Sequence, residues 1–206
     1  HIYMGIWQGN GGTISIENFT NDGTITNHTT SPNNDGAIYF EGTTRIKTFK
    51  NTGTIDGKIK NSISLKAQNN QTPTLENFIN EGFIKGKIGI ENHQNNGGLN
   101  GTITVKTFEN KKTIDGDIYM GIWGGNGTIS IENFTNAGTI SGISRNEKGV
   151  HFEGNVHIQT FHNTGTGFIT GNGNNGQGVW FQEKNGKSSH VTLFHNEGTI
   201  TGESAQ

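Results

Sequence analysis

The sequence predicts an all-β fold: a right-handed parallel β-helix (β-solenoid) of about seven coils, each with three short strands and 26–33 residues. Three observations carry this expectation. A Phe followed two residues later by Asn recurs seven times, at Phe19, Phe49, Phe78, Phe108, Phe134, Phe161 and Phe194, with Asn21, Asn51, Asn80, Asn110, Asn136, Asn163 and Asn196. A period of this size marks a repeat architecture, in which each unit buries its apolar face only against its neighbours. Three residues before each Phe stands an aliphatic side chain: Ile16, Ile46, Leu75, Val105, Ile131, Ile158 and Val191. Finally, the chain is only 28% hydrophobic yet has 33 Gly in 206 residues. A compact domain carries about 45–50% apolar residues with Gly supplying only about 7% of all residues, so large apolar side chains are sparse here. A narrow tube needs only a thin apolar column, and a net charge of −2 with regular apolar spacing argues against disorder.

Each coil opens on a short strand: Ile2-Tyr3-Met4, Ile38-Tyr39-Phe40, Ile59-Lys60-Asn61, Ile88-Gly89-Ile90, Ile118-Tyr119-Met120, Val150-His151-Phe152 and Val179-Trp180-Phe181. The second strand carries the aliphatic residue and the Phe. Alternation in Thr13-Ile14-Ser15-Ile16 turns Ile14 and Ile16 inward, but Ile16 and Phe19 differ in parity, so a corner must fall at Glu17-Asn18. The third strand holds Ile25, Ile55, Ile84, Ile114, Ile140 and Ile200; coil six carries an insertion, Gly165-Thr166-Gly167-Phe168-Ile169, that delays its Ile. Gly and Asn supply the corners, because they tolerate left-handed backbone angles. The right-handed sense follows from the general handedness of parallel crossovers. Rungs about 4.8 Å apart give a rod roughly 30–35 Å long.

Stacking places equivalent residues over one another. Two before each Phe the charges alternate at first, Glu17, Lys47, Glu76, Lys106 and Glu132, as adjacent rungs require. The Asn column is expected to hydrogen-bond rung to rung. A larger duplication offsets the chain by four coils: Ile2-Tyr3-Met4-Gly5-Ile6-Trp7 recurs as Ile118-Tyr119-Met120-Gly121-Ile122-Trp123, and Phe40-Glu41-Gly42 as Phe152-Glu153-Gly154. The chain opens inside a repeat, so residues 1–206 are read as one solenoid cut from a longer protein.

The middle of each opening strand points outward. That column reads Tyr3, Tyr39, Lys60, Gly89, Tyr119, His151 and Trp180, flanked by Trp7 and Trp123. Exposed amphipathic rings can stack on sugars or a receptor, so Tyr3, Tyr39, Tyr119, His151 and Trp180 are the candidate binding residues; rings covered by loops or by one another are the competing expectation. His157 with His190, and His162 with His195, fall one rung apart, but no third ligand at fixed spacing completes a metal site. No cofactor is read from the sequence. Asp56 and Asp115 occupy equivalent positions two coils apart, a separation compatible with inverting glycoside hydrolysis, yet Lys85 lies between them and the repeat is unbroken there. The same charges interrupt the Thr24-Ile25-Thr26 face that would suit ice. Near-neutral charge argues against nucleic acid as partner, and no run of 18 apolar residues spans a bilayer. Zero Cys fits any compartment.

The unit Phe134-Thr135-Asn136-Ala137-Gly138-Thr139-Ile140-Ser141-Gly142 resembles the repeats of bacterial autotransporter passenger domains. Its Asn-x-Gly-Thr-Ile style is similar to vacuolating-cytotoxin-like and adhesin passengers of Campylobacter and Helicobacter relatives, and to filamentous-haemagglutinin-type exoproteins. The resemblance spans all seven coils. It implies a rod on the bacterial surface or secreted, acting without catalysis in adhesion to host cells or in aggregation. The implied partner is a host-cell receptor, a glycan or a second copy, and the full-length protein would carry a C-terminal outer-membrane barrel. A carbohydrate-active β-helix enzyme and a passive spacer stalk are the alternatives. Such repeats carry structural motifs, so no family site residues transfer.

Overall fold

The computed structural model of the chain describes residues 1–6, 12–27, 36–92, 98–142, 147–173 and 175–202, without the side chains of residues 59 and 60. Trp7 therefore lies outside the described residues, as does the side chain of Lys60. In chain order the strands are β1 (Ile2–Gly5), β2 (Ile14–Asn21), β3 (Thr24–Thr26), β4 (Ile38–Glu41), β5 (Thr44–Asn51), β6 (Thr54–Ala67), β7 (Thr74–Asn80), β8 (Phe83–Asn92), β9 (Thr102–Asn110) and β10 (Thr113–Asp115). They continue with β11 (Ile118–Gly121), β12 (Thr128–Asn136), β13 (Thr139–Ser141), β14 (Val150–Glu153), β15 (Val156–Asn163), β16 (Phe168–Gly171), β17 (Val179–Gln182), β18 (His190–Asn196) and β19 (Thr199–Gly202).

All pairings between these strands are parallel, and they form a β-solenoid. The seven Phe-bearing strands make one sheet, in the order β18-β15-β12-β9-β7-β5-β2. The opening and closing strands of the coils share a second, 12-stranded sheet. They share it because β6 and β8 run unbroken from the close of one coil into the opening of the next.

The expected corner at Glu17-Asn18 is a phase change inside a continuous strand. In β2 both residues are exposed, and the residues on either side, Ile16 and Phe19, turn inward. The pairing with β5 skips Glu17 while Ile16↔Ile46 and Phe19↔Phe49 stay in register. One correction concerns coil three. Its opening strand is Ile63-Ser64-Leu65, not Ile59-Lys60-Asn61, since Ile38 pairs with Ile63 and Tyr39 with Ser64. The register of β6 shifts between Asp56 and Ile63, and Lys58 takes a left-handed φ of 58° in that stretch.

The core is a set of columns. The seven Phe rings stack at centroid spacings of 4.9, 5.1, 4.4, 4.9, 4.8 and 4.7 Å, each pair within 8° of parallel. Phe40 and Phe152 meet this column edge-on. The enclosed space between Phe40, Phe78 and Ile90 is lined by apolar side chains alone. The Asn column forms the expected ladder. Each Nδ2 donates to the Oδ1 one coil on, from Asn21 through Asn51, Asn80, Asn110, Asn136 and Asn163 to Asn196, at 2.8–2.9 Å. The second N–H is taken up by backbone carbonyls, such as that of Gly138 on Asn136 at 3.0 Å. Buried amides thus remain paired, which a tube interior demands. The alternating charges pair too, Lys47 with Glu17 at 3.1 Å and Lys106 with Glu76 at 3.4 Å. Both pairs are exposed and add little stability.

Candidate functional site

The outward column of the opening strands is continuous in register: Tyr3, Tyr39, Ser64, Gly89, Tyr119, His151 and Trp180. Ser64 thus stands where Lys60 was expected. The column is outward with respect to the tube, but it is not an exposed aromatic stripe throughout. Tyr39 and Tyr119 are each only 4% exposed, whereas Tyr3 is 45% exposed; His151 and Trp180 are half-buried. That corrects the expectation of free rings at Tyr39 and Tyr119. Strand alternation says which face a side chain takes, but not what lies on that face.

The covering groups belong to the column itself and to the one beside it. Tyr3 packs on Tyr39 at 5.3 Å, and the Lys66 ammonium lies 5.6 Å from the Tyr39 ring. The Lys87 ammonium sits 4.2 Å over Tyr119, and the His151 imidazole meets the same ring edge-on at 5.1 Å. Such cation–π contacts gain strength where the cation is shielded from water. The neighbouring outward column brings Glu41, Glu91 and Glu153, all buried. The Tyr3 hydroxyl donates to Glu41 and the Tyr119 hydroxyl to Glu153, each at 2.8 Å. Both tyrosines lie flat over a glycine two residues on, and a Cβ at Gly5 or Gly121 would collide with the phenol. The four-coil duplication is therefore a duplicated Tyr–Gly–Glu bond between successive coils. Gly42 and Gly154 follow the two Glu residues with φ of 86° and 73°, a conformation suited to glycine.

The two copies diverge in coils five to seven. There His151 stacks on Trp180 at 4.5 Å, and its Nε2–H donates to Gln182 Oε1 at 3.0 Å. The Lys148 ammonium lies 4.5 Å over the Trp180 ring. A short hairpin in coil seven, closed by Lys184↔Lys187 with Asn185 at φ 54° and Gly186 at φ 72°, reaches back past coil six. Asn185 donates to the Trp123 carbonyl at 2.8 Å; Lys187 bonds the Gly125 carbonyl and Asn126 Oδ1. Lys184 lies 4.2 Å over the Trp123 ring and 3.1 Å from Glu153. Trp123 itself stays 37% exposed. The result is an outward surface of two indoles, an imidazole and two ammonium groups, framed by a hairpin that breaks the repeat.

Titration in this region is perturbed. Burial pushes the Asp117 carboxyl up to about 6; Lys87 opposes the shift, and Glu147 and Glu91 reinforce it. Burial pulls the His151 imidazole down to about 4, against Glu153 and the Gln182 hydrogen bond. Burial, then the bond to Glu153, holds the Tyr119 phenol well above its ordinary range. At neutral pH His151 is thus an uncharged ring suited to stacking. Asp56 and Asp115 both pair with Lys85, so a lysine stands between the two carboxylates as the alignment predicted.

The histidine pairs lie one rung apart, as expected. His162 and His195 are 4.8 Å apart and 6° from parallel, while His157 and His190 meet edge-on at 6.3 Å. Glu197 corrects the expectation that no third ligand accompanies them, because its carboxylate lies 2.9 Å from His162 Nε2 and 3.8 Å from His195 Nε2. Its signal was present in the sequence: Glu197 follows His195 by two residues, just past the strand that places His195 one rung from His162. Compared with family models, curated proteins and solved structures, the chain matches none of them.

Proposed function

We propose that this chain is part of a bacterial adhesin-type rod, displayed at the cell surface or released, that engages a host-cell glycan or receptor through the outward surface around Trp123, His151 and Trp180. The observation that supports this reading is the hairpin at residues 183–187. It is the clearest break in a repetitive scaffold, and departures from a repeat concentrate where function resides. It frames two partly open indoles, whose flat apolar faces and polar edges suit sugar rings. The resemblance to autotransporter passengers supplies the surface location and a C-terminal outer-membrane barrel in the full-length protein as parts of the same proposal.

The test is a glycan array probed with the wild-type chain and with Trp123→Ala and Trp180→Ala. Binding lost in both variants supports the reading. Failure of every glycan and host-cell extract to bind would favour a spacer stalk. A carbohydrate-active enzyme is the second reading, and the raised Asp117 carboxyl among Glu91 and Glu147 favours it. Polysaccharide cleavage abolished by Asp117→Asn would replace the adhesin reading.

A further inference from the structure

We infer that His162, His195 and Glu197 form a binding site for a divalent transition-metal ion of the Zn2+ type on the outer face of coils six and seven. The site is separate from the indole surface and does not depend on it. Parallel pairing puts His162 directly beneath His195. Asn196, the last residue of β18, turns inward to bond Asn163, so His195 turns outward, and Glu197 in the turn that follows is exposed. The two histidines therefore converge because the coils stack, and Glu197 joins them from the short turn between β18 and β19.

The distances match a single ion. Ligand atoms around a tetrahedral Zn2+ at 2.0–2.1 Å from each stand about 3.4 Å apart. The two carboxylate–imidazole approaches, 2.9 Å from Oε2 to His162 and 3.8 Å from Oε1 to His195, bracket that value. All three ligand atoms lie within 4.8 Å of one another. The two imidazoles now stack face to face with centroids 4.8 Å apart. Closing on an ion requires the rings to tilt toward each other at their outer edges, and both carry the exposure to do so. Two imidazoles and one carboxylate select Zn2+, Co2+, Ni2+ or Cu2+ over Mg2+ or Ca2+, which prefer all-oxygen shells. Three protein ligands leave a fourth position for water or an incoming group. A bound ion would also clamp coil six to coil seven from outside.

Titration of the 206-residue chain with Zn2+ by calorimetry, and with Co2+ by visible absorption, tests the site. One ion per chain is expected, with tetrahedral Co2+ bands and an upward shift of Tm that EDTA reverses and Mg2+ does not produce. His162→Ala and Glu197→Gln should each weaken binding by more than tenfold, since losing even an outer-shell partner costs roughly 10–100-fold. The double variant His157→Ala/His190→Ala should bind as the wild type does. These side chains are exposed, and unchanged circular dichroism will verify folding. Absence of stoichiometric binding overturns the inference. So does binding that survives His162→Ala and Glu197→Gln, or binding that disappears only with His157 and His190.

Discussion

Inside the tube, one height of the solenoid looks like the next; on the outward face of the opening strands, it does not. Seven Phe rings and seven Asn amides repeat with spacings that vary by only tenths of an ångström. At the outward column the same rungs carry Tyr, Tyr, Ser, Gly, Tyr, His and Trp. Identical columns gain from identity, because parallel rings and amides each satisfy the one above and the one below. The outward column is under no such constraint and has been filled coil by coil. The difference separates the residues that hold the rod from those available to a partner.

The largest test of this contrast is Phe108→Ala, which removes a fully buried ring from mid-column. A loss of about 3–5 kcal/mol is expected in urea unfolding. A loss under about 1 kcal/mol would show that the column is not a cooperative core. Asn110→Ala comes next. It cuts the bonds from Asn80 and to Asn136, and leaves buried amide atoms without partners. Two such groups at about 1–3 kcal/mol each imply a loss of about 2–6 kcal/mol. A value near zero would mean that the ladder is ornamental.

The outward face should respond to pH instead. Asp117 has a folded pKa of about 6, above the ordinary aspartate value of 3.8. It therefore binds more protons folded than unfolded between those values, and stability from this group falls as pH rises through about 4 to 6. His151 is shifted the other way, from 6.5 to about 4. Stability from this group is lost as pH falls through about 6.5 to 4. The two effects oppose each other in one window, at most about 3 kcal/mol each, with the share of the half-buried His151 reduced by solvent screening. Asp117→Asn should unmask the histidine, giving a chain more stable at pH 7 that weakens on acidification. His151→Gln should unmask the aspartate, giving a chain that gains stability on acidification. Unfolding midpoints at pH 4 and pH 7 decide it, and parallel shifts in both variants would refute the opposed pair. The smallest effect is expected at Lys47→Ala, under about 1 kcal/mol and vanishing in high salt. A larger cost would place an exposed charge ladder among the structural columns.

The columns were legible in the sequence because stacking converts a spacing into a contact. Phe, Asn and the alternating charges needed nothing else. Coil three misled because Lys58 adopts a left-handed φ and β6 slips register, which moves the opening strand from Ile59 to Ile63; periodicity does not show a bulge. Tyr39 and Tyr119 misled for another reason. Alternation sets the face, whereas their burial depends on Lys66, Lys87 and the flat glycines beneath Tyr3 and Tyr119. The hairpin's bond to Trp123 joins residues 62 apart in the chain and leaves no periodic trace.

The asparagine ladder also gives the rod a direction. Every Nδ2 faces coil seven and every Oδ1 faces coil one, and the extra bonds from Nδ2 to backbone carbonyls forbid the reverse assignment. Backbone bonds between the coils run both ways and largely cancel, as Ile2 N–H to Ala37 O and Thr52 N–H to Asn21 O illustrate. The side-chain amides do not cancel. Their aligned dipoles add along the axis, as peptide dipoles add along a helix, with the positive pole toward coil seven. A stack of neutral side chains thereby acts as a small axial electret: its two poles are electrically unlike, and successive bonds polarise one another in a single sense.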